Sequence, residues 1–178
     1  MSEKIRVLLS EDKVNKRIRE VAQQINKDYA GKEIHLICIL KGGAMFMCEL
    51  ARRISIPVSF DFMSVSSYGA GTTSSGVVRI LKDLDEDLKD KEVLIVEDII
   101  DSGRTLSYLL ELIQSRNPKS VRLCTLLDKP SRRVIKDVNV DYVCFSIPDE
   151  FVVGYGLDYN QKYRNLPFIG VVEFDAKG

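Results

Sequence analysis

The chain has 178 residues, 45% of them hydrophobic and 29% charged, the make-up of an ordinary globular protein with length for one sizeable core. Lysine plus arginine and aspartate plus glutamate both number 26, so the formal net charge is zero, which argues against a nucleic-acid partner. Met-Ser-Glu-Lys-Ile-Arg lacks the apolar core of a signal peptide, and no apolar run reaches the ~18 residues of a membrane span, so the chain reads as cytoplasmic with no membrane partner.

Val14, Ile18, Val21, Ala22, Ile25 and Tyr29 share one helical face, and Gly31 is a stop signal. Residues 34–40 read as a buried strand, Lys41-Gly42-Gly43 as a glycine turn, and residues 44–54 as a helix. Val58, Phe60 and Phe62 alternate with polar residues, which predicts a half-buried strand up to Val65. Residues 66–76 are rich in Ser, Thr and Gly and read as a loop; a strand at 77–81 and a solvated connection at 82–92 follow. Residues 93–96 form a buried strand that gives way to a polar loop at Glu97 and Asp98, then a helix over 104–115, with Pro118 marking its exit. Further strands are expected at 121–127, 142–147 and 168–174. Strands alternating with helices predict an α/β protein with a mainly parallel twisted sheet flanked by helices. Cys38, Cys48, Cys124 and Cys144 lie in apolar segments and are expected to be buried and reduced; His35, inside a strand, reads as structural. One histidine and no ligand spacing exclude a zinc site.

The chemistry concentrates in Glu97-Asp98-Ile99-Ile100-Asp101-Ser102-Gly103-Arg104-Thr105. In open α/β sheets ligands sit outside the carboxyl ends of strands, where this run falls. Glu97 and Asp98 are hard oxygen donors suited to sugar hydroxyls or Mg²⁺. Adjacent residues of an extended segment point opposite ways, so both serve one ligand only if the strand has begun to turn. The amides from Ser102 to Thr105 open a helix and suit a phosphate, and Gly103 allows close backbone approach. The run matches neither the GxGxxG fingerprint nor the P-loop. Asp101 is either a proton acceptor or a cap for the helix.

This run resembles the phosphoribosyl-pyrophosphate (PRPP) motif of type I phosphoribosyltransferases, and most closely that of the bacterial hypoxanthine (hypoxanthine-guanine) members. The resemblance extends to Leu40-Lys41-Gly42-Gly43, Ser66-Ser67-Tyr68-Gly69, Leu127-Asp128-Lys129-Pro130 and Phe151-Val152-Val153-Gly154-Tyr155-Gly156-Leu157-Asp158-Tyr159, in the family's order. It implies a single domain over 1–178, with a small hood formed mainly by the N-terminal segment and about residues 148–167. It implies Mg²⁺-dependent purine salvage: transfer of the 5-phosphoribosyl group from PRPP to hypoxanthine or guanine, giving IMP or GMP and pyrophosphate, by a homodimer or homotetramer.

The resemblance also distributes roles. Asp101 would take the purine N7 proton. Glu97 and Asp98 would bind the ribose hydroxyls and Mg²⁺, and Ser102, Gly103, Arg104 and Thr105 the 5′-phosphate. Lys41, Gly42 and Gly43 would form the pyrophosphate loop, with a non-proline cis peptide at Leu40–Lys41, assisted by Arg164 and Arg133. Ser67 and Tyr68, in the 66–76 segment, would act as a lid over pyrophosphate. Lys129 would donate to the purine O6, Phe151 would stack on the base, and Val152 would read its edge. Asp158 would border the purine and hold a second Mg²⁺. Two alternatives stay open: a xanthine-preferring phosphoribosyltransferase, and a non-catalytic regulator of the same fold that binds PRPP or RNA.

Overall fold

The computed structural model describes residues 3–67 and 78–174, with Ser67 described through its backbone alone. Strand β1 (Glu3–Leu9) leads into helix α1 (Glu11–Asp28), which Ser10 caps by accepting the Lys13 N–H on its Oγ at 3.4 Å. Acidic Glu11 and Asp12 in its first turn and Lys27 in its last match the helix dipole. Strand β2 (Ile34–Leu40), helix α2 (Ala44–Ala51) and strand β3 (Val58–Ser67) follow. Then come β4 (Val78–Lys82), β5 (Glu92–Ile100), α3 (Arg104–Gln114), β6 (Ser120–Asp128), a 3-10 turn at Pro130–Arg132, β7 (Tyr142–Ser146), β8 (Val152–Val153) and β9 (Ile169–Phe174).

Two sheets result. The larger has six strands in the order β4-β3-β2-β5-β6-β7, parallel except for the edge strand β4. β2 is buried at six of its seven positions, as a central parallel strand covered on both faces must be. One apolar cluster joins α1 and α2 to one face through Leu36, Cys38, Leu94 and Val96. The other joins α3 to the opposite face through Ile37, Ile39, Val93 and Ile95. β2 connects outward to β3, whereas β5 connects outward to β6, so the order switches between β2 and β5. The crevice beyond the carboxyl ends of those two strands is where such sheets bind ligands.

The smaller sheet is antiparallel, in the order β1-β9-β8. The expected last strand therefore belongs to this second sheet and not to the parallel one. The segment before α1, which carried no strand expectation, is its edge. Its burial is shallow, and Val7 is 52% exposed, so it lacks the apolar alternation that marks a half-buried strand.

Three local expectations need correction. α2 stops at Ala51 and not at 54, because Arg53 and Ile54 donate instead to Leu50 and Ala51 in tight turns. In β3, Val58 and Phe62 pack half-buried against the α1/α2 cluster as expected, but Phe60 does not, and the opposite face is buried too. Phe60 is exposed, while Asp61 and Met63 are buried. Burial pushes the Asp61 carboxyl up, but N–H donors from Glu86, Phe62 and Asp85 more than offset it and hold it below the usual range. Asp61 thus anchors the charged 82–92 connection, which also buries Leu88. Cys48 is exposed, on the same outward face of α2 as Met45; the other three cysteines are buried. Among the described residues, no helix is long and apolar enough to cross a membrane.

Candidate active site

β5 runs on through the two carboxylates instead of ending before them. Its alternation changes there. Leu94 and Val96 pack on the α1/α2 side, and strict alternation would put Ile100 with them, yet Ile100 packs on the α3 side and Ile99 on the other. Past this turn the Glu97 and Asp98 carboxyls still touch, each the other's side-chain hydrogen-bond partner. Glu97 lines a cleft of about 250 Å³ together with Asp101, Ser102, Gly103 and Thr105. Asp98 faces the loop after β2, where a Cβ on Gly42 would lie 1.6 Å from its Oδ2. Only glycine at position 42 lets this carboxylate lie against the backbone.

No cation matches Glu97 within the described ion pairs. Burial first, then the neighbouring Asp98 charge, pushes its carboxyl well above the usual range. Asp98 is raised as well, by burial, although the Glu97 side chain, the Ile99 N–H at 2.7 Å and the Arg164 charge pull the other way. Two adjacent carboxyls, both raised and neither ion-paired among the described residues, fit a divalent cation of the Mg²⁺ kind. Such an ion takes one or two carboxylates and fills its other positions with phosphate oxygens and water. Asp158 stands apart. It receives Arg164 Nη2 at 2.9 Å and the Gln161 N–H at 2.8 Å, and no three acidic, His or Cys side chains converge on one point among the described residues.

Lys41, Gly42 and Gly43 follow β2 directly, and the Leu40–Lys41 peptide is cis. Lys41 Nζ and Arg164 Nη2 both donate to Gln161 Oε1, at 3.4 and 3.2 Å. Arg164 Nη1 also donates to the Gly156 carbonyl at 2.7 Å. Gly156 has φ +102°, and a Cβ there would lie 2.0 Å from the Gly42 carbonyl oxygen. The β8–β9 connection is therefore locked onto the Lys41 loop, with Lys41, Asp98, Asp158, Gln161 and Arg164 gathered around it. Arg133 is not among them. Its guanidinium pairs with Asp128 and lines a separate cleft behind Gly103, so the expected assistance to the pyrophosphate loop has no geometry here.

On the other side of β5, α3 is capped by Gly103 at φ +82°, which offers no side chain. Its first-turn N–H groups stay open to a ligand except that of Arg104, which Ser102 Oγ accepts at 3.4 Å. Asp101 is therefore no cap. Its Oδ1 accepts from Arg132 Nε at 2.9 Å. β5 and β6 pair Ile100 with Asp128, and the Lys129 N–H donates to the Ile100 carbonyl at 3.0 Å. That register sets Lys129, only 7% exposed, beside Asp101. Lys129 Nζ lies 3.7 Å from Asp149 Oδ1, and Arg132 Nη1 lies 3.6 Å from Asp149 Oδ2. Phe151, next to this group in sequence, is half exposed and packs edge-on against Tyr159, with ring centroids 5.7 Å apart. Val152 is buried in β8. The Ser67 side chain and Tyr68 lie outside the described residues, as does most of the 66–76 lid segment.

Sequence reading missed Gln161, Arg132 and Asp149. Arg132 lies two residues beyond the Leu127-Asp128-Lys129-Pro130 motif, and Asn160, with Gln161 at φ +63°, signals a turn. Nothing in the sequence says which partners those side chains reach.

The larger sheet thus gathers an open helix start, a basic loop and two carboxylates at its switch point, where α/β sheets bind ligands. The chain belongs to the family described as the phosphoribosyl transferase domain, whose model matches residues 7–160. Among its relatives, the hypoxanthine phosphoribosyltransferase of Salmonella typhimurium is 53% identical over 174 residues, covering 97% of each chain. The hypoxanthine-guanine phosphoribosyltransferase of Streptococcus thermophilus is 50% identical over 168 residues, 94% of this chain and 93% of the relative. A crystal structure of a hypoxanthine-guanine phosphoribosyltransferase from Bacillus anthracis superposes with a TM-score of 0.91 at 48% identity, covering 96% of this chain and all of that one.

Proposed function

We propose that the protein salvages purines: it transfers the 5-phosphoribosyl group from PRPP to hypoxanthine or guanine, giving IMP or GMP and pyrophosphate. The observation that carries the base side is the Lys129 N–H bond to the Ile100 carbonyl. It brings the donor-only Lys129 and the carboxylate residue Asp101 to adjoining strand ends, which suits the acceptor O6 and the proton-bearing N7 of a 6-oxopurine. Charge must be managed at three places in an oxocarbenium-like transition state. The 5′-phosphate sits on the open amides of α3 with Ser102, Gly103, Arg104 and Thr105. The leaving pyrophosphate meets Lys41, the amides of Gly42 and Gly43, and Arg164. Asp101 takes the N7 proton as the base attacks carbon 1.

Glu97 and Asp98, side by side near the end of β5, would hold the ribose hydroxyls and a Mg²⁺ ion, and Asp158 would take a second ion on the pyrophosphate side. Bound Mg²⁺ would neutralise charge on PRPP and its leaving group. Phe151 stacks on the purine and the Val152 backbone reads its edge. Arg133 braces the phosphate loop through Asp128, a role different from pyrophosphate binding. Residues 1–178 act as one unit, with the small sheet as the hood. Four cysteines without disulfide partners support a reducing compartment, the cytoplasm. Exposed Phe60 and Leu81 near the β4 edge support self-association as a dimer or tetramer. The test is kcat/KM for hypoxanthine, guanine and xanthine with PRPP and Mg²⁺. Turnover of the first two is expected; a clear preference for xanthine, or no turnover beside salt-sensitive RNA binding, would replace this reading.

A further inference from the structure

Asp101 has no backbone tether of its own. It precedes the Gly103 cap, its side chain is 44% exposed, and its Oδ2 accepts no hydrogen bond among the described residues. A carboxylate so placed is free to rotate away from a base. Its one partner is Arg132, and Arg132 is itself fixed from two directions. It closes the 3-10 turn that begins after Lys129, and that turn rides on the strand end carrying Asp101 through the Lys129–Ile100 hydrogen bond. One edge of its guanidinium, Nε, holds Asp101 at 2.9 Å, while Nη1 faces Asp149 at 3.6 Å on the loop before β8. Asp149 in turn is the described carboxylate facing Lys129. Two cations and two anions thus alternate in the order Lys129, Asp149, Arg132, Asp101, and the ends of that row are the two groups that face the purine.

We propose that Arg132 is a positioning residue for the transfer reaction: it holds one oxygen of Asp101 and leaves the other turned to the purine. The inference rests on the proposed function above. Arg132 reaches no reacting atom; it acts through Asp101, in the way a nucleophile's base is oriented by a third group. The planar fork suits this task because one guanidinium reaches two carboxylates on separate loops in fixed geometry, which an ammonium does not.

The test is a double-mutant cycle read in single-turnover transfer to hypoxanthine, so that product release does not mask the chemical step. Arg132→Gln should slow the step by about 2- to 5-fold, the scale set by an exposed charge pair, with KM for PRPP unchanged. In the Asp101→Asn background the same substitution should have no further effect, because the group it orients is gone. A merely structural role for the turn would instead multiply with Asp101→Asn. Arg132→Lys, which keeps the charge and loses the fork, should fall between wild type and Arg132→Gln and serves if the Gln variant does not fold. Multiplying effects, or a wild-type rate for Arg132→Gln, overturn the inference while wild-type turnover upholds the function. No turnover by the wild type overturns both.

Discussion

Glu92 and Glu97 occupy opposite ends of one strand, β5, and are almost equally hidden from water, 8% and 9% exposed. Their settings are opposite. Glu92 accepts a short hydrogen bond from Ser120 and faces Lys32 at 3.1 Å and Lys119 at 3.4 Å, and these hold its carboxyl below the usual range. Long lysine side chains cover it, so it is sheltered without being deep in the core. Glu97 has no cation partner among the described residues, and burial with Asp98 alongside pushes it up. The larger cleft, about 590 Å³ and lined by Lys32, His35, Phe60 and Lys91, lies at the Glu92 end. Size therefore points to the wrong end of the strand. The uncompensated carboxyls point to the switch point, where a bound cation would complete them.

The largest expected effect tests that contrast directly. With excess EDTA the transfer reaction should stop, because buried Glu97 and Asp98 repel each other and the charged pyrophosphate of PRPP unless a divalent cation is present. Activity that survives chelation would mean that the uncompensated pair serves some other end.

Next comes Asp101→Asn. It keeps the shape and removes the proton acceptor, so kcat should fall by roughly 10²–10⁴-fold with KM for PRPP little changed. Retention of most of the chemical rate would confine the chemistry to the carboxylates of β5 itself.

Lys129→Ala should be milder. Losing a charged hydrogen bond to a bound base costs about 1.5–3 kcal/mol, or about 10- to 150-fold in kcat/KM for hypoxanthine, with part of it in KM for the base. Adenine, which presents an amino group where the lysine needs an acceptor, should be rejected by the wild type by ~10⁴-fold and by the variant less strongly. Good use of adenine by the wild type, or an unaffected Lys129→Ala, ends the assignment of O6 to this residue.

What the sequence disclosed and what it hid follow one physical division. Covered parallel strands are apolar throughout and announce themselves, so β2 and β5 through β7 were legible. So were α1 and α3, through periodicity and their start signals. β1 was not, because it sits at the edge of a small sheet with little to bury. β3 was legible as a strand, but the burial of its second face was not, because a buried Asp61 satisfied by three backbone donors looks polar in sequence. At the site, residue types and motif order carried Lys41, Glu97, Asp101 and Lys129. They could not show that the Asp98 carboxyl lies against Gly42, or that Arg133 spends its charge on Asp128. Those outcomes depend on side-chain direction and long-range pairing, which no local pattern encodes.

The smallest effect is the sharpest test of the two glutamates, because it predicts opposite signs from the same substitution. In metal-free, ligand-free protein near pH 7, Glu92→Gln should lower stability. Its lysine partners are 44% and 63% exposed, so the loss should be about 1 kcal/mol, or roughly 2–4 °C in Tm. Glu97→Gln should raise Tm, because it removes a carboxylate that folding holds in an unfavourable place. The pH dependence follows from linkage. Glu92, depressed in the folded state, stabilises above the unfolded pKa of roughly 4.3, and that contribution fades as pH falls through its folded value. Glu97, raised in the folded state, costs nothing below the unfolded value and destabilises increasingly as pH rises through it towards its folded value. The gap between the two variants should therefore be widest near neutrality and narrow as the solution is acidified below about pH 4. Differential scanning calorimetry of both variants across that range reads it out. A Glu97→Gln protein that melts lower than wild type near pH 7 would show that its carboxylate is held by stabilising contacts after all, and the contrast between the ends of β5 would collapse.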